Sequence, residues 1–306
     1  MTLYLPIAEI SVSIILLIGL GTMVGFIGGV FGVGGAFLMT PFLIFIGVPP
    51  AVAVGSSANT VIAASTTSVY GHWRRGTIDM RMAWVVVAGG FVGSAAGVAL
   101  FGLLRSLGQI DLFISVSYVV LLGSLGGLMA VEATRTFLRQ RRPAATRRRL
   151  HQHYWMHGLP LKVRFPRSRL YISVLMPLLL SFGVGLLSGV MGVGGGFIMV
   201  PAMIYLLGMP TQVVPGTAQV QVVFVAASVT VLQAVQHQTV DALLAMVLLL
   251  GGVVGSHFGS VLSGRLRGEQ LRGLLAIVLL LVAMKLLVDL TLPPDDVYSV
   301  VTPRSR

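Results

Sequence analysis

The 306 residues contain no cysteine, so disulfides and thiolate metal sites are excluded outright. Charge is scarce too: 10% of the residues are Asp, Glu, Lys or Arg, against about a quarter in an ordinary soluble domain. The nine acids are Glu9, Asp79, Asp111, Glu132, Asp241, Glu269, Asp289, Asp295 and Asp296, and none falls mid-way along an apolar run. A carrier of cations or protons ordinarily needs such a buried carboxylate. No G-x-x-x-x-G-K-S/T occurs, which excludes a P-loop ATPase. Without clustered His and Asp or a nucleophile–base spacing, no catalytic constellation, metal or cofactor is expected. No Lys or Arg precedes the first apolar run and Glu9 stands there instead, so Ile10 onward reads as a retained membrane segment, not a secretory signal.

What is abundant is apolar: 56% of residues are hydrophobic, mean hydropathy is +0.94, and there are 38 glycines. Such a chain is an all-α integral membrane protein with lipid as its solvent, and small residues let its helices pack closely. The net charge of +12 is local, since eleven of the 21 Lys and Arg residues lie between Arg135 and Arg169. That basicity marks a cytoplasmic loop under the positive-inside rule, with anionic lipid headgroups as a second reading, and not a nucleic-acid surface.

Runs of spanning length are 10–31, 51–70, 82–104, 110–131, 171–191, 212–235, 241–262 and 271–290, and two short ones are 36–47 and 197–208. That makes about ten segments, five on each side of the basic linker. The halves repeat. Residues 29–35 read GVFGVGG and 189–195 read GVMGVGG, at an offset of 160; Gly55–Ser56 match Gly216–Thr217 at 161, and Thr77–Asp79 match Thr239–Asp241 at 162. If all ten segments cross, Arg74, Arg75, Arg81, Arg265, Arg267 and Arg272 fall on the side of the linker. The halves are then inverted, with both termini extracytoplasmic. The expected organisation is a first repeat 1–131, a cytoplasmic linker 132–170, a second repeat 171–292 and a tail 293–306.

Non-helical backbone inside a membrane needs protein or water to satisfy it. The glycine clusters, with Gly34 and Gly35 in one half and Gly194, Gly195 and Gly196 in the other, would each start a short helix below the bilayer surface. Such starts suit an anion. Around them stand Ser56, Ser57, Asn59 and Thr60 in the first half and Thr217, Gln219 and Gln221 in the second. These serve equally well as lining for a small anionic substrate or as hydrogen bonds between helices. The rows Gly21–Gly25–Gly29 and Gly89–Gly93–Gly97 read as close helix packing. His257 reads as packed, His72 as interfacial, and Lys285 pairs with Asp289 at i, i+4.

The duplicated GxGGGF(L/I)xxP break, at Gly32–Pro41 and Gly192–Pro201, is followed by Gly55–Thr60 and Gly216–Gln221 and then by His72–Asp79 and Thr239–Asp241. This pattern resembles the sulfite exporter TauE/SafE family. Ala36 replaces the third glycine in the first half, and Ala234 stands at the position matching His72. The resemblance implies a permease of the cytoplasmic membrane that moves small sulfur-containing anions such as sulfite, sulfoacetate or taurine-related sulfonates. The residues alone leave two mechanisms open, a carrier working by alternating access and an uncoupled anion channel.

Overall fold

The computed structural model describes residues 2–31, 35–139, 161–168, 170–210, 212–263 and 268–291. The body is helical, as expected, and each half opens with a short β-hairpin that the sequence reading did not anticipate. Strands β1 (Thr2–Leu5) and β2 (Ile10–Ser13) pair antiparallel, and so do β3 (Lys162–Phe165) and β4 (Leu170–Ser173). In the first hairpin, polar residues interrupt the apolar ones in Thr2–Leu5 and Ile10–Ser13, a pattern that suits half-buried strands. Average hydropathy conceals it. The first helix accordingly starts at Ile14 and not at Ile10.

Among the described residues there are ten α-helices: α1 (Ile14–Phe31), α2 (Ala36–Phe45), α3 (Pro50–Arg74), α4 (Met80–Ser106), α5 (Ile110–Arg139), α6 (Leu175–Met191), α7 (Gly196–Tyr205), α8 (Val214–Leu232), α9 (Ala242–Ser263) and α10 (Gly268–Thr291). The short runs are indeed short helices, ten residues each and about 15 Å long. Among the described residues, α4, α5, α9, α10 and the stretch Val214–His237 are long and apolar enough to cross a membrane. α3 has the length but not the composition, because Ser56, Ser57, Asn59, Thr60 and four hydroxyls at Ser65–Ser68 dilute it. It lies inside, with most of Val52–Ser65 buried, so protein and not lipid faces Ser56, Ser57, Thr60 and Ser65. The outer helices α5, α9 and α10 expose Leu112, Val120, Leu128, Met246, Leu250, Leu281 and Met284, an apolar belt that only hydrocarbon accommodates at this density.

The halves interlock. α1 packs along α9 and α6 along α4; α3 meets α8, α5 meets α10, and α4–α8 is mirrored by α9–α3. The glycine rows are packing rows, as their spacing predicts. A Cβ built on Gly25 would lie 2.7 Å from Gly252 Cα, and one on Gly93 would lie 2.8 Å from the carbonyl carbon of Phe182. Gly21 faces Leu248, Gly25 faces Gly252 and Gly29 faces Ser256, so α1 and α9 run in the same direction. Gly89, Gly93 and Gly97 step along Leu178, Phe182 and Leu186 likewise, so α4 and α6 are also parallel.

A π turn, Gln233–His237, ends α8. It holds the extra residue that moves the repeat offset from 161 to 162, since a π turn accommodates one insertion without breaking the helix. The alignment of His72 with Ala234 is corrected by it. His72 Nδ1 bonds Thr77 Oγ1 at 2.8 Å, and it is Gln233 whose Oε1 accepts from Thr239 Oγ1 at 3.0 Å. The counterpart of His72 is therefore Gln233. At the far end of α10, Lys285 Nζ pairs with Asp289 at 3.1 Å as expected, and also sits 4.0 Å over the Phe45 ring.

Candidate functional site

Two helix starts meet at the centre. Gly35 (φ 71) and Gly195 (φ 78) precede α2 and α7 in the left-handed conformation that lets the chain double back, and no side chain caps either start. Phe37 and Phe197, each the second residue of its short helix, stack with ring centroids 4.3 Å apart and planes 14° from parallel. The second break is held by its neighbours: Tyr118 donates its hydroxyl proton to the carbonyl of Met191 at 2.8 Å, and Ser57 Oγ reaches that of Gly192 at 3.5 Å. Gly34 lies outside the described residues.

Beside the first helix start opens a cavity of about 420 Å³, walled by α1, α3, α8 and α9. Gly35, Met39, Thr60 and Gln219 line its deep part, Thr67, Ser68 and Ser256 its sides, and His72 and the exposed Arg75 its mouth at the C-terminal end of α3. His257 also lines it, contrary to the expectation that it is merely packed. Its lining carries two histidines and an arginine and no carboxylate. A site with that balance and a helix N-terminus at its floor is complementary to a negative charge.

Of the residues singled out from sequence, Gly35, Thr60 and Gln219 face this cavity, while Gly194, Gly195, Gly196, Ser56, Ser57, Asn59, Thr217 and Gln221 do not. The hydroxyls among these have structural partners. Ser56 Oγ accepts the backbone N–H of Asp241 at 3.0 Å, and its repeat partner Thr217 Oγ1 accepts that of Asp79 at 3.1 Å. Ser57 Oγ bonds Thr40 Oγ1 at 2.8 Å. Gln221 is buried against Gly90 with its Oε1 unpaired, and Asn59 is half-buried on α3. Thr60 donates to the carbonyl of Ser57 at 2.8 Å. Arg75, Ser256 and His257 are among the lining residues that spacing did not single out. His257 did carry a signal, because an ionisable side chain in the middle of an apolar helix is by default a candidate for function.

Asp79 and Asp241 are latches between the halves. Asp79 caps α4 through Met82 N–H (3.3 Å) and accepts both the N–H (2.9 Å) and the hydroxyl (2.6 Å) of Ser168 in the second hairpin. Asp241 caps α9 through Leu244 N–H (3.1 Å) and accepts the N–H of Ile7 in the first hairpin (3.1 Å). Asp79→Ala removes a cap and leaves buried Ser168 donors without an acceptor. We expect it to lower unfolding stability by about 2–4 kcal/mol, read as a reduced melting temperature in detergent. An unchanged melting temperature would contradict the latch.

The chain is similar to known membrane transporters. The profile of the family described as sulfite exporter TauE/SafE matches residues 17–286. The probable membrane transporter protein YjnA of Bacillus subtilis (strain 168) is 30% identical over 280 residues, covering 90% of this chain and 100% of the relative. A probable membrane transporter protein of Xylella fastidiosa (strain 9a5c) is 30% identical over 264 residues, covering 84% and 88%. The probable membrane transporter protein YunE of Bacillus subtilis (strain 168) is 25% identical over 287 residues, covering 90% and 98%. No solved structure matches the chain.

Proposed function

The chain belongs to the sulfite exporter TauE/SafE family of membrane transporters, and on that premise we propose that it is a secondary carrier of small sulfur-containing anions, sulfite or organosulfonates such as sulfoacetate, working by alternating access between two inverted halves in the cytoplasmic membrane. The observation that carries the reading is the acid-free cavity with Arg75, His72 and His257 in its wall and the start of α2 at its floor. Its substrate enters past Arg75 and His72 at the mouth, passes neutral hydroxyls on the sides, and ends at the uncapped helix-start amides of the floor, which hold an anion without trapping it.

Support for inversion comes from the latches. Asp241, which starts α9, bonds Ser56 near the start of α3, whereas Asp79, which starts α4, follows the other end of that helix. α4 and α9 thus begin at opposite ends of α3, and α6 and α1 run with them. Repeat-equivalent helices are antiparallel on this reading. The linker lies where α5 ends and α6 begins, on the side of Arg74, Arg75 and Arg81, and the positive-inside rule makes that side cytoplasmic.

Two measurements test the function. A thermal-shift screen against sulfite, sulfate, thiosulfate, taurine and sulfoacetate should single out a sulfite- or sulfonate-bearing ligand, since saturation at about a hundred times Kd stabilises the folded state by ~2.7 kcal/mol. No response to any anion would sink the substrate class. Counterflow of radiolabelled ligand in proteoliposomes is expected of a carrier. Flux without counterflow would establish the channel instead.

A further inference from the structure

The cavity has a mirror position in the other half, and there the walls touch. At the offsets of 161 for α3 on α8 and 162 for α4 on α9, cavity residues Ala64, Thr67 and His72 correspond to Val225, Ser228 and Gln233, and Gly252 and Ser256 correspond to Gly90 and Ser94. At 160, Gly29 corresponds to Gly189. In the closed half, a Cβ on Gly90 would lie 2.7 Å from Val225 Cγ2, Ser94 and Ser228 share a hydroxyl–hydroxyl bond of 3.1 Å, and Gln233 Nε2 donates to the carbonyl of Gly189 at 3.2 Å. In the open half those same positions line the cavity. A Cβ on Gly252 would meet no atom of α3, its nearest neighbour being Gly21 O at 3.9 Å. Thr67 and Ser256 each bond a carbonyl of their own helix, Ala63 O at 3.1 Å and Val253 O at 3.0 Å.

We infer that the cavity closes through the mirror images of these three contacts: Thr67 hydroxyl against Ser256 hydroxyl, Ala64 methyl against Gly252, and the His72 ring against the carbonyl of Gly29. The contacts of Val225 with Gly90, Ser94 with Ser228 and Gln233 with Gly189 part in the same movement and open the opposite side. This rests on the alternating-access reading and gives each side its gate. The chemistry is already present in the closed half, where Ser94 bonds Phe91 O at 2.9 Å and still reaches Ser228. A hydroxyl carries one proton and two lone pairs, so when Thr67 and Ser256 meet one of them keeps its helix bond and accepts, while the other turns its proton from its helix carbonyl to its new partner. The side chains also explain why this is the open side. Val225 and Val229 bury apolar surface when their gate shuts, while Ala64 and Ser68 at the equivalent places gain far less from leaving water.

The absence of cysteine makes the test direct, because any introduced pair holds the only thiols. Two double variants are made, Thr67→Cys/Ser256→Cys and Ser94→Cys/Ser228→Cys, each with a protease site in the linker so that a disulfide keeps the two halves joined after cleavage. In proteoliposomes the Ser94→Cys/Ser228→Cys pair should crosslink readily under oxidation. The Thr67→Cys/Ser256→Cys pair should crosslink more slowly but to completion. Either crosslink should abolish counterflow of radiolabelled sulfite, reversibly on reduction. Locking Thr67→Cys to Ser256→Cys in a chain that also carries Ser228→Cys should expose that third thiol to an impermeant maleimide from the side opposite the linker. Thr67→Cys alone, labelled from the linker side, identifies folded protein. If counterflow is present and Ser94→Cys/Ser228→Cys crosslinks while Thr67→Cys/Ser256→Cys never does, the gate is wrong and alternating access stands. If both pairs crosslink fully and flux continues, alternating access itself is wrong and the gate falls with it.

Discussion

Gly25→Val is expected to leave no folded protein. A Cβ at Gly25 meets not a side chain but the backbone of α9, 2.7 Å from Gly252 Cα and closer still to its carbonyl oxygen. Side-chain overpacking in a core costs about 1–3 kcal/mol when neighbours change rotamer. Backbone has no rotamer to change, so α1 and α9 must separate. Separation also loosens the contacts at Gly21, Gly29, Gly255 and Gly259 along the same seam. Gly185→Val at the equivalent seam, 2.9 Å from Gly90 Cα, should behave the same way. Membrane abundance and size-exclusion profile check both, and a monodisperse product with the parental melting temperature would refute the packing account.

Gly252→Leu should do the reverse and give a stable protein that transports nothing. Gly252 stands directly across the seam from Gly25, yet its own Cβ direction leads into the cavity. The added side chain strains no contact of the open state and fills space that Ala64 needs when the gate shuts. Leucine is a good helix former and glycine a poor one, so helix propensity favours the variant by up to about 1 kcal/mol. The expected outcome is a melting temperature at or above the parental value with counterflow lost. Parental counterflow in this variant would show that α3 does not approach α9 there. Two glycines on one seam, one indispensable for assembly and one for movement, separate folding from function.

Several elements were legible in the chain. The repeat was visible in GVFGVGG and GVMGVGG, the short helices in the length of the runs 36–47 and 197–208, and the packing rows in four-residue glycine spacing. These are local patterns, and local patterns survive in one dimension. The β-hairpins were hidden because four-residue strands contribute little to a hydropathy window. The one-residue shift at the end of α8 was visible as an offset of 162, but not its location, because an insertion has no side-chain signature. Only the pairing of Gln233 with Thr239 places it in the π turn.

The hydroxyls show where sequence reasoning stops. Ser56 and Thr60 are four residues apart on one helix face, chemically alike and both buried, yet Ser56 accepts the N–H of Asp241 and Thr60 lines the cavity. Nothing in their spacing separates them, because the difference lies in what another helix brings. Composition and pattern by themselves determined that this is a duplicated, cysteine-free membrane protein with glycine-started short helices and no buried acid in its spans, because solvent preference and backbone geometry are properties of short stretches. Which polar groups face the cavity, which latch the halves, and which side of the molecule stands open were decided only in three dimensions. Each depends on the packing of one repeat against the other, and the two copies, though alike in sequence, present different side chains to that seam.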